Sequence, residues 1–238
     1  MKTYSLKNFF KKINYEWEKD KNDLSEICSL TKTRANSNIK SFEFAYGMEQ
    51  PFFVKAVAEH LNASNLFEIG TGRGTASYAV SLIPTIKEIT TVDIVPFDEK
   101  FNTAINYEPA LASNKDIFDL VKFKEKEKIN FKHVSDYQMI TSLYSDCYDL
   151  CFIDGCHEQF DVIKKDFEIC LQLIKNEGYI IWDDYDPNMF EVKPVVDEVS
   201  SKYDFDCELI EFRGHLFGNK NPEKNAGEVL MKITKWII

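Results

Sequence analysis

Residues 148–187, YDLCFIDGCHEQFDVIKKDFEICLQLIKNEGYIIWDDYDP, constrain the fold of this chain more than any other stretch. The apolar run Leu150, Cys151, Phe152 and Ile153 ends in Asp154-Gly155. A second run, Tyr179, Ile180, Ile181 and Trp182, ends in Asp183-Asp184. Between them Phe160, Ile163, Phe167, Leu171 and Ile174 recur at intervals of three and four residues, while Lys164, Lys165, Glu168 and Gln172 fall on other faces. That pattern predicts a strand, an amphipathic helix and a second strand. Such a unit crosses over right-handed in nearly all cases, so the strands are parallel and their C-terminal ends share one edge. Both ends carry carboxylates. Acids gathered this way repel unless a positive group sits among them, and this edge is where open α/β sheets bind ligands.

The rest of the chain repeats the theme. Further strands are expected at residues 65–69, 88–94, 129–134, 205–212 and 229–236. Helices are expected at 51–62, with Pro51 in the first turn, from the glycine loop to 83 where Pro84 stops it, and at 116–123, 135–143 and 191–203. The Lys/Glu run at 124–128 reads as a solvated helix end, and the Gly/Asn/Lys/Pro segment at 213–227 as a hairpin connection. With 238 residues, 44% of them hydrophobic and 19 Phe, there is material for one full-sized domain. The expected fold is therefore α/β, a doubly wound, mostly parallel seven-stranded sheet of Rossmann-like type closed by an antiparallel hairpin. Residues 1–50 form an N-terminal helical extension, helical over 2–30, with a polar loop at 31–40 that reads as a connector or a lid. Residues 51–238 form the main domain.

Composition excludes some functions. A formal net charge of −10 argues against a protein that grips a phosphate backbone. The six cysteines include no C-x-x-C pair, and Cys147, Cys151 and Cys156 match no usual zinc spacing. Their pattern fits a reducing compartment. The opening residues lack the long apolar run of a signal peptide, and no stretch approaches the ~20 apolar residues that span a bilayer. The expectation is a soluble cytoplasmic protein with no membrane partner, its oligomeric state left open.

Glu68-Ile69-Gly70-Thr71-Gly72-Arg73-Gly74 follows a predicted strand and opens a predicted helix. Glycines at 70 and 72 allow a tight turn and close approach of a ligand to the backbone. A dinucleotide fingerprint, G-x-G-x-x-G, would need a glycine at position 75, where this chain has Thr75. The register is E-x-G-x-G-x-G, and Asp93 ends the next strand 21 residues after Gly72. At this point the chain resembles the class I S-adenosylmethionine-dependent methyltransferases. The resemblance covers roughly residues 50–238. It implies that Gly70, Thr71 and Gly72 lie against the methionine end of the cofactor and that Glu68 props the loop. It implies also that Asp93 takes the ribose, that Ser135 and Asp136 lie near the adenine, and that Asp154 borders the same ligand.

The acid edge narrows the likeness. I-D-G-x-H after one strand and D-D-Y after the next resemble the metal-dependent O-methyltransferases, nearest the macrocin and mycinamicin sugar enzymes and the cephalosporin hydroxylase-like group, with catechol O-methyltransferase more distant. The resemblance implies a magnesium ion held by Asp154, Asp183 and Asp184, and His157 as general base, where catechol O-methyltransferase carries a lysine. This chain has Cys156 where the family usually has an aspartate or another polar residue. Magnesium prefers oxygen ligands and can acidify a bound hydroxyl, and an imidazole can take the released proton at neutral pH. The implied activity is methylation of a hydroxyl on a small molecule, a sugar or secondary metabolite. Two alternatives are a methyltransferase acting on RNA, DNA or protein, and a non-catalytic adenosyl-binding scaffold. IDGC stands where nucleic-acid amine enzymes carry D/N-P-P-Y/F, and a scaffold has no need of a metal edge.

Overall fold

The computed structural model describes residues 1–31, 49–100, 113–143, 145–186, 188–212, 216 and 227–234, and the backbone alone at 136, 137, 139 and 143. The polar segment 32–40, the hairpin connection apart from 216 and 227, and the last residues of the expected strand 229–236 lie outside these. Strands β1 (Lys2–Ser5), β2 (Asn65–Ile69), β3 (Glu88–Asp93), β4 (Ile129–His133), β5 (Tyr148–Ile153), β6 (Ile174–Trp182), β7 (Asp206–Glu211) and β8 (Gly227–Lys232) form one sheet. Its order is β1-β7-β8-β6-β5-β2-β3-β4, and β8 runs antiparallel to both neighbours while the other pairs are parallel.

Helices cover both faces because the strand residues alternate. Leu66, Ile89, Leu150, Phe152, Ile181 and Leu230 point to a core shared with α1 (Leu6–Lys12), α2 (Lys21–Leu30), α3 (Gln50–His60), α4 (Thr75–Ser81) and α5 (Asn114–Leu120). Phe67, Val92, Cys151, Ile153, Ile180, Trp182 and Val229 point the other way, to α6 (Tyr137–Leu143), α7 (Phe160–Leu173) and α8 (Val192–Tyr203). The α/β expectation holds. Between β2 and β5 the order reverses, since β3 and β4 extend one way and β6 the other, and a crevice opens at such a switch point.

Three local expectations are corrected. The sheet has eight strands rather than seven, because residues 2–5, expected as helix, pair in parallel with β7. Lys12 on Glu208 at 2.5 Å ties α1 to β7 beside this edge, and Lys55 of α3, whose Nζ donates to Asp20 at 2.8 Å, ties down the turn after α1. Ile174 belongs to β6, where it pairs with Tyr148, and not to the helix before it. The run at 124–128 is a 3₁₀ turn that caps other helices. Lys126 donates to the Phe118 and Val121 carbonyls at 2.7 and 2.9 Å, and Lys128 to those of Ser81 and Ile83 at 2.7 and 3.0 Å. Cations at helix C-termini satisfy carbonyls that have no intrahelical donor. Among the described residues, no helix is long and apolar enough to cross a membrane.

Candidate functional site

The loop after β2 is a network anchored from below. Glu68 is buried and accepts from Ser77 Oγ at 2.6 Å and Thr91 Oγ1 at 2.5 Å. The Thr91 hydroxyl also meets that of Thr71 at 2.7 Å, so the carboxyl fixes the loop through one intermediary. Burial pushes the Glu68 carboxyl up to about 7 against these two bonds, with nearby Asp93 adding to the rise. Thr91 lies two residues before Asp93 on β3 and so shares its face, a signal that strand alternation offered and motif reading passed over.

Asp93 holds the loop from the side. The Gly72 N–H donates to Oδ2 and the Val95 N–H to Oδ1, both at 2.9 Å. A carboxylate accepts about four hydrogen bonds, so capacity for a ligand's hydroxyls remains. Ser135, after β4, is exposed and bonded to His133 Nδ1 at 2.7 Å, while His133 Nε2 meets the Ile94 carbonyl at 3.0 Å. The side chain of Asp136 lies outside the described residues.

The two glycines differ. Gly70 has φ +92°, and a Cβ there would stand 2.0 Å from the Asp154 carbonyl oxygen. Gly72 has φ +50° with open space around it. Sequence reasoning treats them alike, but Gly70 is demanded by the fold and only Gly72 is free to report on a ligand. Left-handed strain and overpacking each cost on the order of 1–3 kcal/mol, so Gly70→Ala is expected to lower the melting temperature by roughly 5–20 °C. Gly72→Ala should shift it by a few degrees at most, and differential scanning calorimetry of the two variants checks the contrast.

The same contact shows that the glycine loop and the acid edge are one place. Asp154 N–H donates to the Ile69 carbonyl at 2.8 Å, and Asp183 N–H to that of Ile153 at 3.0 Å, so the ladder carries both acids just past the strand ends. Asp154, His157 and Asp183 bring one ligand atom each within 4.8 Å of one another. Asp184 stands to the side in the left-handed region, φ +50°. His157 bridges the acids, with Nε2 3.5 Å from Asp154 Oδ1 and Nδ1 3.5 Å from Asp184 Oδ2. Phe190 packs on the imidazole with ring centroids 5.5 Å apart, and the His157 carbonyl accepts from Glu191 N–H at 2.9 Å. Partial burial, then Asp183, Asp184 and Glu68, raise the Asp154 carboxyl well above the usual carboxylate range.

Two further residues reach this edge from distant parts of the chain. Gln50, the first residue of α3, donates Nε2 to Asp154 Oδ2 at 3.1 Å. Glu228 of β8 is fully buried, and burial, with Asp183 and Asp184 behind it, raises its carboxyl well above the usual range. No motif marks either one.

Oxygen donors from adjacent strand ends and one imidazole form a donor set that suits a hard divalent cation. The loop beside it, with the backbone exposed at Gly72 and an acid at the neighbouring strand end, suits a nucleoside-like ligand.

The model of the family described as methyltransferase domain matches residues 67–185, from the strand before the glycine loop through both acid edges. No curated protein sequence matches the chain. Among solved structures, the chain is similar to the O-methyltransferase from Bacillus cereus in complex with SAH, at a TM-score of 0.58 and 15% identity over 90% of this chain and 91% of that one. It is equally similar to the O-methyltransferase TomG from Streptomyces achromogenes, involved in tomaymycin synthesis and bound to SAM, at 0.58 and 16% identity over 89% of each chain. A spermidine synthase in complex with AdoDATO is similar at 0.54, with 10% identity over 79% of this chain and 61% of that one, so the fold alone does not select the reaction. The family match does: it spans half the chain, from the glycine loop through Asp154, His157, Asp183 and Asp184, and the chain belongs to the methyltransferase-domain family, enzymes that transfer methyl groups.

Proposed function

We propose that this methyltransferase uses S-adenosylmethionine and a magnesium ion to methylate a hydroxyl of a small molecule such as a sugar or secondary metabolite. The observation that carries the reading is the abutment of Gly70 against Asp154, because it joins a cofactor-type loop to a cation-type edge in one crevice. The SAH and SAM complexes of similar folds support the choice of cofactor.

Asp154 and Asp183 would hold the ion, with Asp184 completing the set beside them. When bound, magnesium supplies Lewis acidity toward a substrate oxygen. His157 would accept the hydroxyl proton at Nε2, which is buried and has no hydrogen-bond partner, while Asp184 at Nδ1 keeps the ring oriented. Gln50 holds Asp154 in place. Positioning of the acceptor in line with the methyl group would account for much of the acceleration. Methyl transfer from labelled S-adenosylmethionine to a panel of sugars, sugar nucleotides and phenols, with and without chelator, tests the reading. Full activity in chelator would remove the cation from it.

Asp93 would take the ribose hydroxyls, and the structure gives it a second duty in fixing Gly72 and Val95. Asp93→Ala is expected to weaken S-adenosylmethionine binding by roughly ten- to a hundredfold, as charge-assisted bonds worth ~1.5–3 kcal/mol are lost. Calorimetry on the folded variant measures this, and wild-type affinity would exclude Asp93 from the site.

A further inference from the structure

Glu228 is the acid of this edge that no sequence pattern singles out. It is the second residue of β8, its exposure is 0%, and neither carboxylate oxygen has a hydrogen-bond partner among the described residues. Two backbone constraints set its place. Trp182 pairs with Val229, and the Tyr185 N–H donates to the Gly227 carbonyl at 2.9 Å, which brackets Glu228 against Asp183 and Asp184.

Alternation sets its side. Val229 packs into the α7–α8 layer and Leu230 into the α3 layer, as does Ile210, which stands opposite Glu228 on β7. Asp154 follows Ile153 and Asp183 follows Trp182, and both of those apolar residues face α7 and α8. All three carboxylates therefore leave the sheet toward α3, where Gln50 meets Asp154. No lysine or arginine among the described residues pairs with Asp154, Asp183 or Glu228. A carboxylate buried without donors is strongly unfavourable unless a cation or a set of donors arrives to meet it.

Resting on the cation reading above, we infer that Glu228 is a fourth carboxylate of the cation site, facing it from β8 as Asp154 and Asp183 do from β5 and β6. Its charge deepens the attraction of the edge for a divalent ion, and its oxygens match that ion's preference. This assigns a function to a buried group among apolar neighbours, where packing alone would favour a hydrophobic side chain.

The test is calorimetric titration of MnCl2 and MgCl2 into the full chain after chelator treatment, for wild type, Glu228→Gln and Asp154→Asn. Glu228→Gln is expected to keep its far-ultraviolet circular dichroism and its affinity for S-adenosylmethionine while binding Mn²⁺ roughly ten- to a hundredfold more weakly. Melting gives a second readout. Mg²⁺ should raise the wild-type melting temperature more than that of Glu228→Gln. Wild-type affinity for both ions in Glu228→Gln overturns the assignment and leaves the cation reading standing. Failure of wild type to bind either ion overturns both.

Discussion

Asp154→Asn and Asp183→Asn are each expected to abolish divalent-cation binding and to reduce methyl transfer by more than about a thousandfold. A Lewis acid at the reacting oxygen is worth several kcal/mol, and each ~1.4 kcal/mol is a factor of ten. The two residues should behave as one unit, because each contributes a ligand atom to the same group, within 4.8 Å. Asn preserves volume, so the loss comes from charge. In chelator the Asp154→Asn variant should melt no lower than wild type, since Asp183, Asp184 and Glu68 crowd the native carboxyl. Affinity for S-adenosylmethionine should change little, because Gly72, Asp93 and the network around Glu68 remain intact. Rates in the presence and absence of chelator, together with Mn²⁺ calorimetry, check both halves. A variant that loses cation binding but retains its rate would separate the ion from the chemistry.

His157→Ala should behave differently. It is expected to retain the cation and the cofactor and to lose rate by ~10²–10⁴, the usual contribution of a positioned general base. The geometry makes this a sharp choice, because His157 also belongs to the three-residue group with Asp154 and Asp183. Loss of Mn²⁺ affinity in His157→Ala would make the imidazole a ligand and leave the base unassigned. An unchanged rate would reduce it to a packing partner of Phe190.

Much of this molecule is written locally. The α7 stripe of Ile163 and Phe167 and the apolar runs that become β5 and β6 follow from periodicity within a few residues. The glycine register and the spacing to Asp93 follow equally, because a tight turn between strand and helix allows few side chains at Gly70, Gly72 and Gly74, all of positive φ. The right-handed crossover then brings Asp154 and Asp183 to one edge without knowledge of any distant contact. What periodicity misses is short or irregular. Lys2–Ser5 is too brief to show alternation and becomes a strand only because β7 offers it an edge.

Pairing across long separations was decided by the tertiary structure alone. Gln50 reaches Asp154 across 104 residues of sequence, and its sequence neighbours show only the first turn of a helix. Gly70 reads as a ligand-facing glycine, and its necessity comes from the Asp154-Gly155 backbone, just past β5, lying against it. Lys126 and Lys128 sit in a run that reads as solvated charge, yet the carbonyls they cap belong to α5, α4 and the residues just after those helices. Glu228 stands just before the strand expected at 229–236, and no local pattern marks it. It is buried because β8 inserts antiparallel between β6 and β7, and the partners an inserted strand meets are set by topology rather than by any local run of residues.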